Sequence, residues 1–381
     1  MSGVTEAAAA DSRYTGAVVS AGMYEVSVEP GILRRAGAII AAAAPAHRYA
    51  VVSDSNVAPL YAEGVRAQLG RDTEAALSTM PAGEAHNTRE TWSAITDELL
   101  QAGLGRDSAI VALGGGVVCD VAGFVAATFM RGIPVIHIPT TLLAMIDASI
   151  GGKTGVDTPH GKNLVGAFHQ PSAVIIDAEV LGSLPVEELR SGLAEALKHG
   201  AIADAAYFDF IRREAGTLLA VDPAKRDVHS LNHVIEKSVR LKIGVVTADE
   251  RERGARKALN FGHTIGHSIE MLSGYTMRHG EAVGVGMLLE ATAAERAGLS
   301  EPGLAADIRD ALDAAGLPTR RPAGPAASVV LESMRADKKS RGGAIEYAVP
   351  KRIGSMTAGN AGSGGEFTVR MPDALVAEVL G

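Results

Sequence analysis

The sequence predicts an α/β amino-terminal half built on a parallel-rich, nucleotide-binding type of sheet, followed by a mainly α-helical carboxy-terminal half. Two observations carry this. As far as about residue 185, short apolar runs alternate with helix-periodic segments. Beyond it, helix-periodic runs follow one another, with no convincing strand series until the final fifty residues. Strands that are apolar throughout need cover on both faces. Alternation with helices supplies that cover, so the sheet is expected to be parallel.

Taken in order, Tyr24–Val28 reads as a strand, 31–44 as a helix and Tyr49–Ser53 as a strand. Glu90–Gly103 has helical periodicity, with Trp92, Ile95, Leu99 and Leu100 on one face. Ser108–Leu113 is a short apolar strand that ends in three glycines. A helix follows through Phe129, and Pro134–Ile138 is a further strand. Pro185 marks the boundary, because proline suits the start of a helix. The helical runs are 187–200, 204–213, 225–247, 257–273, 279–297 and 301–315. Residues 357–367 are glycine-rich and are expected to form a flexible loop.

With 381 residues, the expected organisation is two domains, 1–185 and 186–381, with residues 1–20 a frayed tail. Aromatics make up only 4% of the chain, so the core must come from Ala, Val, Ile and Leu. The net charge of −8 argues against nucleic acid as a partner. The single cysteine, Cys119, excludes an internal disulfide and permits a reducing compartment. The first residues lack the basic start and apolar run of a secretory signal. No stretch approaches the roughly 18 apolar residues of a membrane span. A cytoplasmic protein that binds no membrane is the expectation.

Three strand ends carry candidate ligand groups. Gly114, Gly115 and Gly116 lie between a strand and a helix, where backbone amides can hold a pyrophosphate. The same geometry also serves a plain strand-to-helix turn, so the motif alone is weak. Asp120 lies one turn on. Thr140 and Thr141 end the next strand, and Asp54 and Asn56 follow an earlier one. The segment Asp147–Asn163 packs Asp147, Lys153, Lys162 and Asn163 among four glycines. Lysines on such a loop suit a phosphate or carboxylate.

A second constellation has metal-ligand chemistry. Asn260, His263 and His267 are spaced i, i+3 and i+7 in a helical run, which places them on one face. His279 opens the next helix. Glu195 and Lys198 share a face of an earlier one. A catalytic divalent cation takes two imidazoles and a carboxylate readily. Spacing alone leaves the ligating histidines open. The pair His263 and His267 is the tempting choice, but no glutamate follows His263, so the metalloprotease pattern fails.

In order and spacing, GGGVVCDVAGFVAATFMRG, IPTTLLAMIDASIGGKTGVDTPHGKNLVGAFHQP, LRSGLAEALKHG, KALNFGHTIGHSIE, RHGEAV and ADKKSRGG resemble the 3-dehydroquinate synthase family. The match runs from about residue 25 to 350. The wider group is the sugar phosphate cyclases, with the metal-dependent glycerol dehydrogenases more distant. The resemblance implies an NAD-binding α/β domain, a helical metal-binding domain, and an active site between them. It assigns zinc or cobalt to Glu195, His263 and His279, and moves His267 to the substrate side. It places Asp147, Lys153, Asn163, Lys198, Lys242, Arg256, Asn260, His267 and Lys338 around a sugar phosphate. Arg131 would reach in from the neighbouring subunit of a homodimer. NAD would meet Asp54, Asn56, Glu84, Gly115, Gly116, Asp120, Thr140, Thr141, Lys162 and Glu188.

The implied reaction converts 3-deoxy-arabino-heptulosonate 7-phosphate to 3-dehydroquinate and phosphate. It runs by transient oxidation, phosphate elimination, re-reduction and an internal aldol closure. Two departures stand out. Asn87 occupies a position where the family usually has lysine, and Asp157 one where it often has asparagine. The competing expectations are another cyclase, such as an amino-dehydroquinate synthase, and an oxidoreductase of the glycerol dehydrogenase kind. The latter should not need Lys153, Lys198, Lys242 and Arg256 together.

Overall fold

The computed structural model describes residues 16–69, 75–159, 161–252, 254–337, 345–359 and 367–381. Its amino-terminal half contains β1 (Ala17–Ser20), β2 (Glu25–Val28), α1 (Ala36–Ala43), β3 (Arg48–Asp54), α2 (Glu63–Arg66), β4 (Ala76–Met80) and α3 (Arg89–Gln101). These are followed by β5 (Ser108–Gly114), α4 (Gly116–Thr128), β6 (Val135–Pro139), β7 (Lys153–Thr158), β8 (Gly161–Phe168) and β9 (Ala173–Ile176). The seven-stranded sheet runs β1-β2-β9-β6-β5-β3-β4. All its pairings are parallel except β1 with β2. β3 and β5 are fully buried along almost their whole length, as a strand covered on both faces must be.

Chain order decides where a ligand can enter. From β3 the chain steps outward to β4, then returns to β5 on the other side of β3 and continues to β6. The carboxyl ends of β3 and β5 therefore flank a point where the winding reverses, which is where parallel sheets leave a crevice. Asp54, Gly115 and Thr140 stand at or just beyond three adjacent strand ends on this edge.

The second half is α5 (Val186–Ala203), α6 (Ala205–Leu218), α7 (Val228–Ala248), α8 (His263–Leu272), α9 (His279–Arg296), α10 (Leu304–Ala314), α11 (Ala327–Asp337) and α12 (Asp373–Leu380). Short two-stranded pairs involving 347–356 and 368–369 lie between the last two helices. One apolar core passes from Val26, Val28 and Ile176 of the sheet through Leu193 and Leu197 of α5 to Val283 and Met287 of α9. Among the described residues, no helix is long and apolar enough to cross a membrane.

Several expectations need correcting. Residues 17–20 are not frayed: they form β1, because Val19 packs into the core while its neighbours face outward. The stretch from Lys153 is not a loop but the β7–β8 hairpin. Two facing glycines let its strands approach closely: a Cβ on Gly166 would lie 2.1 Å from the Thr154 carbonyl oxygen. The strands β4 and β9 and the helices α11 and α12 also went unread. The helical run 257–273 is broken. A 3₁₀ turn, Ala255–Asn260, ends at Phe261, and Gly262 adopts φ 79° before α8 starts at His263. Asn260 therefore does not share a helix face with His263 and His267. The glycine-rich stretch 360–366 lies outside the described residues.

The starts of α8 and α9 are fixed by local chemistry. Fully buried Glu290 accepts from the amides of Gly262 (2.8 Å) and Ile265 (3.0 Å), satisfying donors that a helix start leaves open. At α9, Ser191 Oγ of α5 accepts from Gly280 N at 3.0 Å. A Cβ on Gly280 would lie 2.1 Å from the Ser191 carbonyl oxygen, so only glycine lets the helices meet here. Gly280→Ala is expected to lower stability by about 1–3 kcal/mol through overpacking. An unchanged thermal midpoint would remove the close approach from the argument.

Candidate metal and nucleotide site

A cleft of about 700 Å³ opens between the sheet's carboxyl edge and the helices. Gly116, Asp120, Asp147 and Lys162 line it from the first half, and Asn260, His263, His267 and His279 from the second. A second cavity, of about 920 Å³, lies behind α8 among Leu272, Met277, Leu317 and three prolines, away from these polar groups.

At the floor of the polar cleft, two imidazoles converge on one carboxylate. His263 Nε2 and His279 Nε2 lie 3.5 and 3.4 Å from Glu195 Oε1. Glu195 is fully buried, and Lys198, one helical turn on and almost as buried, forms an ion pair with it. Each imidazole is anchored through its other nitrogen. His263 Nδ1 lies 3.2 Å from the Phe261 carbonyl oxygen, and His279 Nδ1 3.2 Å from Glu270 Oε2. Such contacts orient each ring and, in its neutral form, leave the Nε2 lone pair facing Glu195. The third imidazole, His267, is close: its ring centroid is 5.0 Å from that of His263 and 5.7 Å from that of His279.

The electrostatics of the two rings differ. Burial, aided by the Lys198 charge, holds His263 well below its ordinary pKa and keeps its Nε2 lone pair available. Burial acts the same way on His279, but hydrogen bonds to Glu195 and Glu270 outweigh it and push this ring up to about 10. Two groups of described residues bring ligand atoms within reach of one ion: His263, His267 and His279, and Asp147, Glu195 and His199. Lys198 pairs with Glu195 and Lys242 with Asp147, and Glu195 is also the carboxylate that His263 and His279 approach.

The structure distributes the other expected residues unevenly. Lys242 Nζ lies 2.5 Å from Asp147 Oδ1. Lys153 pairs with Glu252, whose other oxygen accepts from Asn260 Nδ2 at 2.6 Å. Arg256 is buried and donates to the Glu250 carbonyl oxygen at 2.6 Å. Asn163, at φ 50°, donates from Nδ2 to Asp120 at 3.1 Å and from its amide to Asp157 at 2.8 Å. Burial leads in pushing the Asp120 carboxyl up to about 8, with Glu84, Asp157 and Asp147 nearby adding to it, against the Asn163 hydrogen bond. Lys162 reaches Glu270 at 2.7 Å and Glu84 at 3.1 Å. Asp54 caps its own turn, accepting from the amides of Asn56 (2.8 Å) and Val57 (3.0 Å). Thr141 Oγ1 accepts from the Ala144 amide at 3.1 Å. Glu188 pairs with Arg278 at 2.9 Å and does not line the cleft. Arg131 sits exposed in the turn after α4 at φ 71° and does not line it either. Lys338 lies outside the described residues. Glu252 and Glu270 were missed: Glu252 stands in no motif, Glu270 closes KALNFGHTIGHSIE without being singled out, and the fold brings both to the cleft.

The solved 2-epi-5-epi-valiolone synthase of Streptomyces hygroscopicus subsp. jinggangensis 5008, described with NAD+ and Zn2+ bound, is similar to this chain. It has a TM-score of 0.83 and 29% identity, covering 96% of this chain and 98% of that one. The architecture is therefore that of the sugar phosphate cyclases. Residues 77–191 match the 3-dehydroquinate synthase N-terminal family and residues 192–340 the C-terminal one. The 3-dehydroquinate synthase of Symbiobacterium thermophilum is 46% identical over 336 residues, which is 87% of this chain and 92% of the relative. That of Pelobacter propionicus is 44% identical over 339 residues, 88% and 93% respectively. The chain belongs to the 3-dehydroquinate synthase family.

Proposed function

We propose that this chain converts 3-deoxy-arabino-heptulosonate 7-phosphate to 3-dehydroquinate and phosphate. It would use NAD and a divalent cation held by Glu195, His263 and His279. The observation that carries the site is the convergence of two anchored imidazoles on the buried Glu195 oxygen, in a cleft flanked by lysines. Its donor set of two nitrogens and one carboxylate suits zinc or cobalt and leaves positions for substrate. The nucleotide fits the strand-end crevice. The Thr140 hydroxyl there is buried without a hydrogen-bond partner, and the amino end of α4 presents free amides beside Gly115 and Gly116.

When bound, the cation would supply Lewis-acid polarisation of substrate oxygens, and NAD a reversible hydride acceptor. The chain's own residues do the rest. Lys153, Lys198, Lys242 and Arg256 supply positive charge for a phosphate and a carboxylate. Glu252 orients Lys153 and Asn260 together, so two substrate-facing donors move as one unit. His267 brings a ring nitrogen within ligand range of His263 and His279, and in this reading that nitrogen serves a substrate hydroxyl. Asp147 holds Lys242, Asn163 is braced between Asp120 and Asp157, and Lys338 would complete the anion contacts. Asp54, Asn56, Glu84, Asp120, Thr141 and Lys162 are the remaining nucleotide contacts in this reading.

The segments before and after residue 185 would act as two walls of the cleft. Arg131 would serve the partner's cleft in a homodimer, in keeping with its exposed position outside its own. A cytoplasmic setting agrees with the single, buried Cys119. Purified protein given the heptulosonate phosphate, NAD and cobalt should release phosphate in step with dehydroquinate, without accumulating NADH. Steady NADH build-up would replace this reading with a net oxidoreductase. NAD binding without phosphate release would replace it with a different cyclase.

A further inference from the structure

We propose that Glu270 is a positioning residue that couples the cation site to the nucleotide cleft, an inference that rests on the ligand set above. Glu270 stands on α8 seven residues after His263, hence on the same helix face, and is 4% exposed. Its two oxygens do different work. Oε2 lies 3.2 Å from His279 Nδ1, and Oε1 accepts from Lys162 Nζ at 2.7 Å. Lys162 comes from the β7–β8 hairpin of the other half. It also touches Glu84 at 3.1 Å and lies 4.9 Å from the centre of the Tyr275 ring. One carboxylate thus bridges a strand of the nucleotide side and a ring of the cation side.

The bridge has a chemical consequence. With Nδ1–H donated to Glu270, His279 directs Nε2 toward Glu195, and the carboxylate behind the ring strengthens it as a ligand. Lys162 competes for that same negative charge. An anionic dinucleotide that draws Lys162 toward its phosphates leaves more of the Glu270 charge to His279. The cation is then held more tightly, and by linkage the cation tightens the dinucleotide by the same factor. A glutamate that only supported folding would not connect the two affinities.

Full-length protein freed of metal by a chelator is titrated with cobalt(II), with and without NAD. Visible absorption and chelator competition give the dissociation constant. Wild type should bind one cobalt ion, more tightly when NAD is present. Glu270→Gln should bind it about 10–100-fold more weakly, as other outer-shell substitutions do, and lose the NAD effect. Glu270→Asp should recover part of both. Lys162→Met should bind cobalt at least as tightly as wild type but show no NAD effect, and it serves as the readout if Glu270→Gln does not fold. Wild-type cobalt affinity in Glu270→Gln, or an intact NAD effect in either variant, overturns the proposal. Failure of wild type to bind cobalt would instead overturn the ligand assignment beneath it.

Discussion

Glu195→Ala is expected to empty the cation site and to reduce phosphate release on the order of 1,000-fold, the equivalent of several kcal/mol of lost transition-state stabilisation. The reason is its placement. Glu195 supplies the only carboxylate oxygen that both His263 Nε2 and His279 Nε2 approach among the described contacts. The alanine variant has a second consequence, which the sequence could not show. Lys198 is 2% exposed and pairs with Glu195, so truncation strands a buried ammonium at a cost of about 3–5 kcal/mol. Loss of activity in this variant would therefore mix two causes. Glu195→Gln separates them, because it keeps the shape and an accepting oxygen for Lys198 while removing the charge that binds the cation. Metal content by mass spectrometry, read beside a thermal melt, should show an empty site in a largely intact fold. Full metal stoichiometry in both variants would refute the ligand assignment.

How much of this site was legible beforehand depended on whether a residue belonged to a periodic element. Glu195 and Lys198 were readable as a pair because one turn of α5 separates them. His263 and His267 were readable for the same reason, and spacing alone pointed to them as ligands. The fold brings in His279 from a different helix, because Gly262 restarts the chain at His263 and Gly280 lets α9 lie against α5. Neither event has a periodic signature. Glu252 sits at φ 55° in the turn between α7 and the 3₁₀ segment and meets Lys153 from 99 residues away. Nothing near it in sequence announces that contact. Glu270 looked like any glutamate on a helix, where the common outcome is a solvated face.

The same contrast holds for the fold. The fully apolar stretch in β5 and the parallel order around it follow from composition, since such a strand is stable only between two layers. The β7–β8 hairpin was hidden because its strands carry glycines, lysines and an aspartate, residues that usually mark loops. Their pairing instead depends on Thr154 and Val156 facing inward and on Gly155 and Gly166 allowing the backbones to touch. The hairpin carries Lys162 and Asn163 to the cleft and Lys153 to Glu252 at its edge. Misreading it as a loop thus left the chemistry of those residues intact but not its rigidity.

Lys242→Met and Asp147→Asn are each expected to destabilise the protein, with opposite dependence on pH. The two side chains touch at 2.5 Å, with Lys242 only 6% and Asp147 30% exposed. Burial works against the Asp147 carboxylate, but the charges of Lys242 and then Lys198 outweigh it and hold it well below the usual range. Burial also lowers Lys242, more than Asp147 can restore. The depressed carboxyl decides the matter: the pair is ionised at neutral pH. A depressed folded pKa gives stability that is present above the unfolded value of about 3.9 and lost as pH falls below it. In Lys242→Met the aspartate loses its main partner, and burial then raises its pKa. The loss, about 3 kcal/mol at pH 7 given its partial exposure, should shrink toward pH 4 as the carboxyl takes up a proton. In Asp147→Asn the stranded ammonium is the liability. Its folded pKa falls further, so the loss of about 3–5 kcal/mol should shrink as pH rises toward 10. The double variant should be less destabilised than the sum of the two, by about 0.5–3 kcal/mol. Urea unfolding at pH 5, 7 and 9 measures all three, and parallel pH profiles for the two single variants would mean that the pair is not ionised in the native protein.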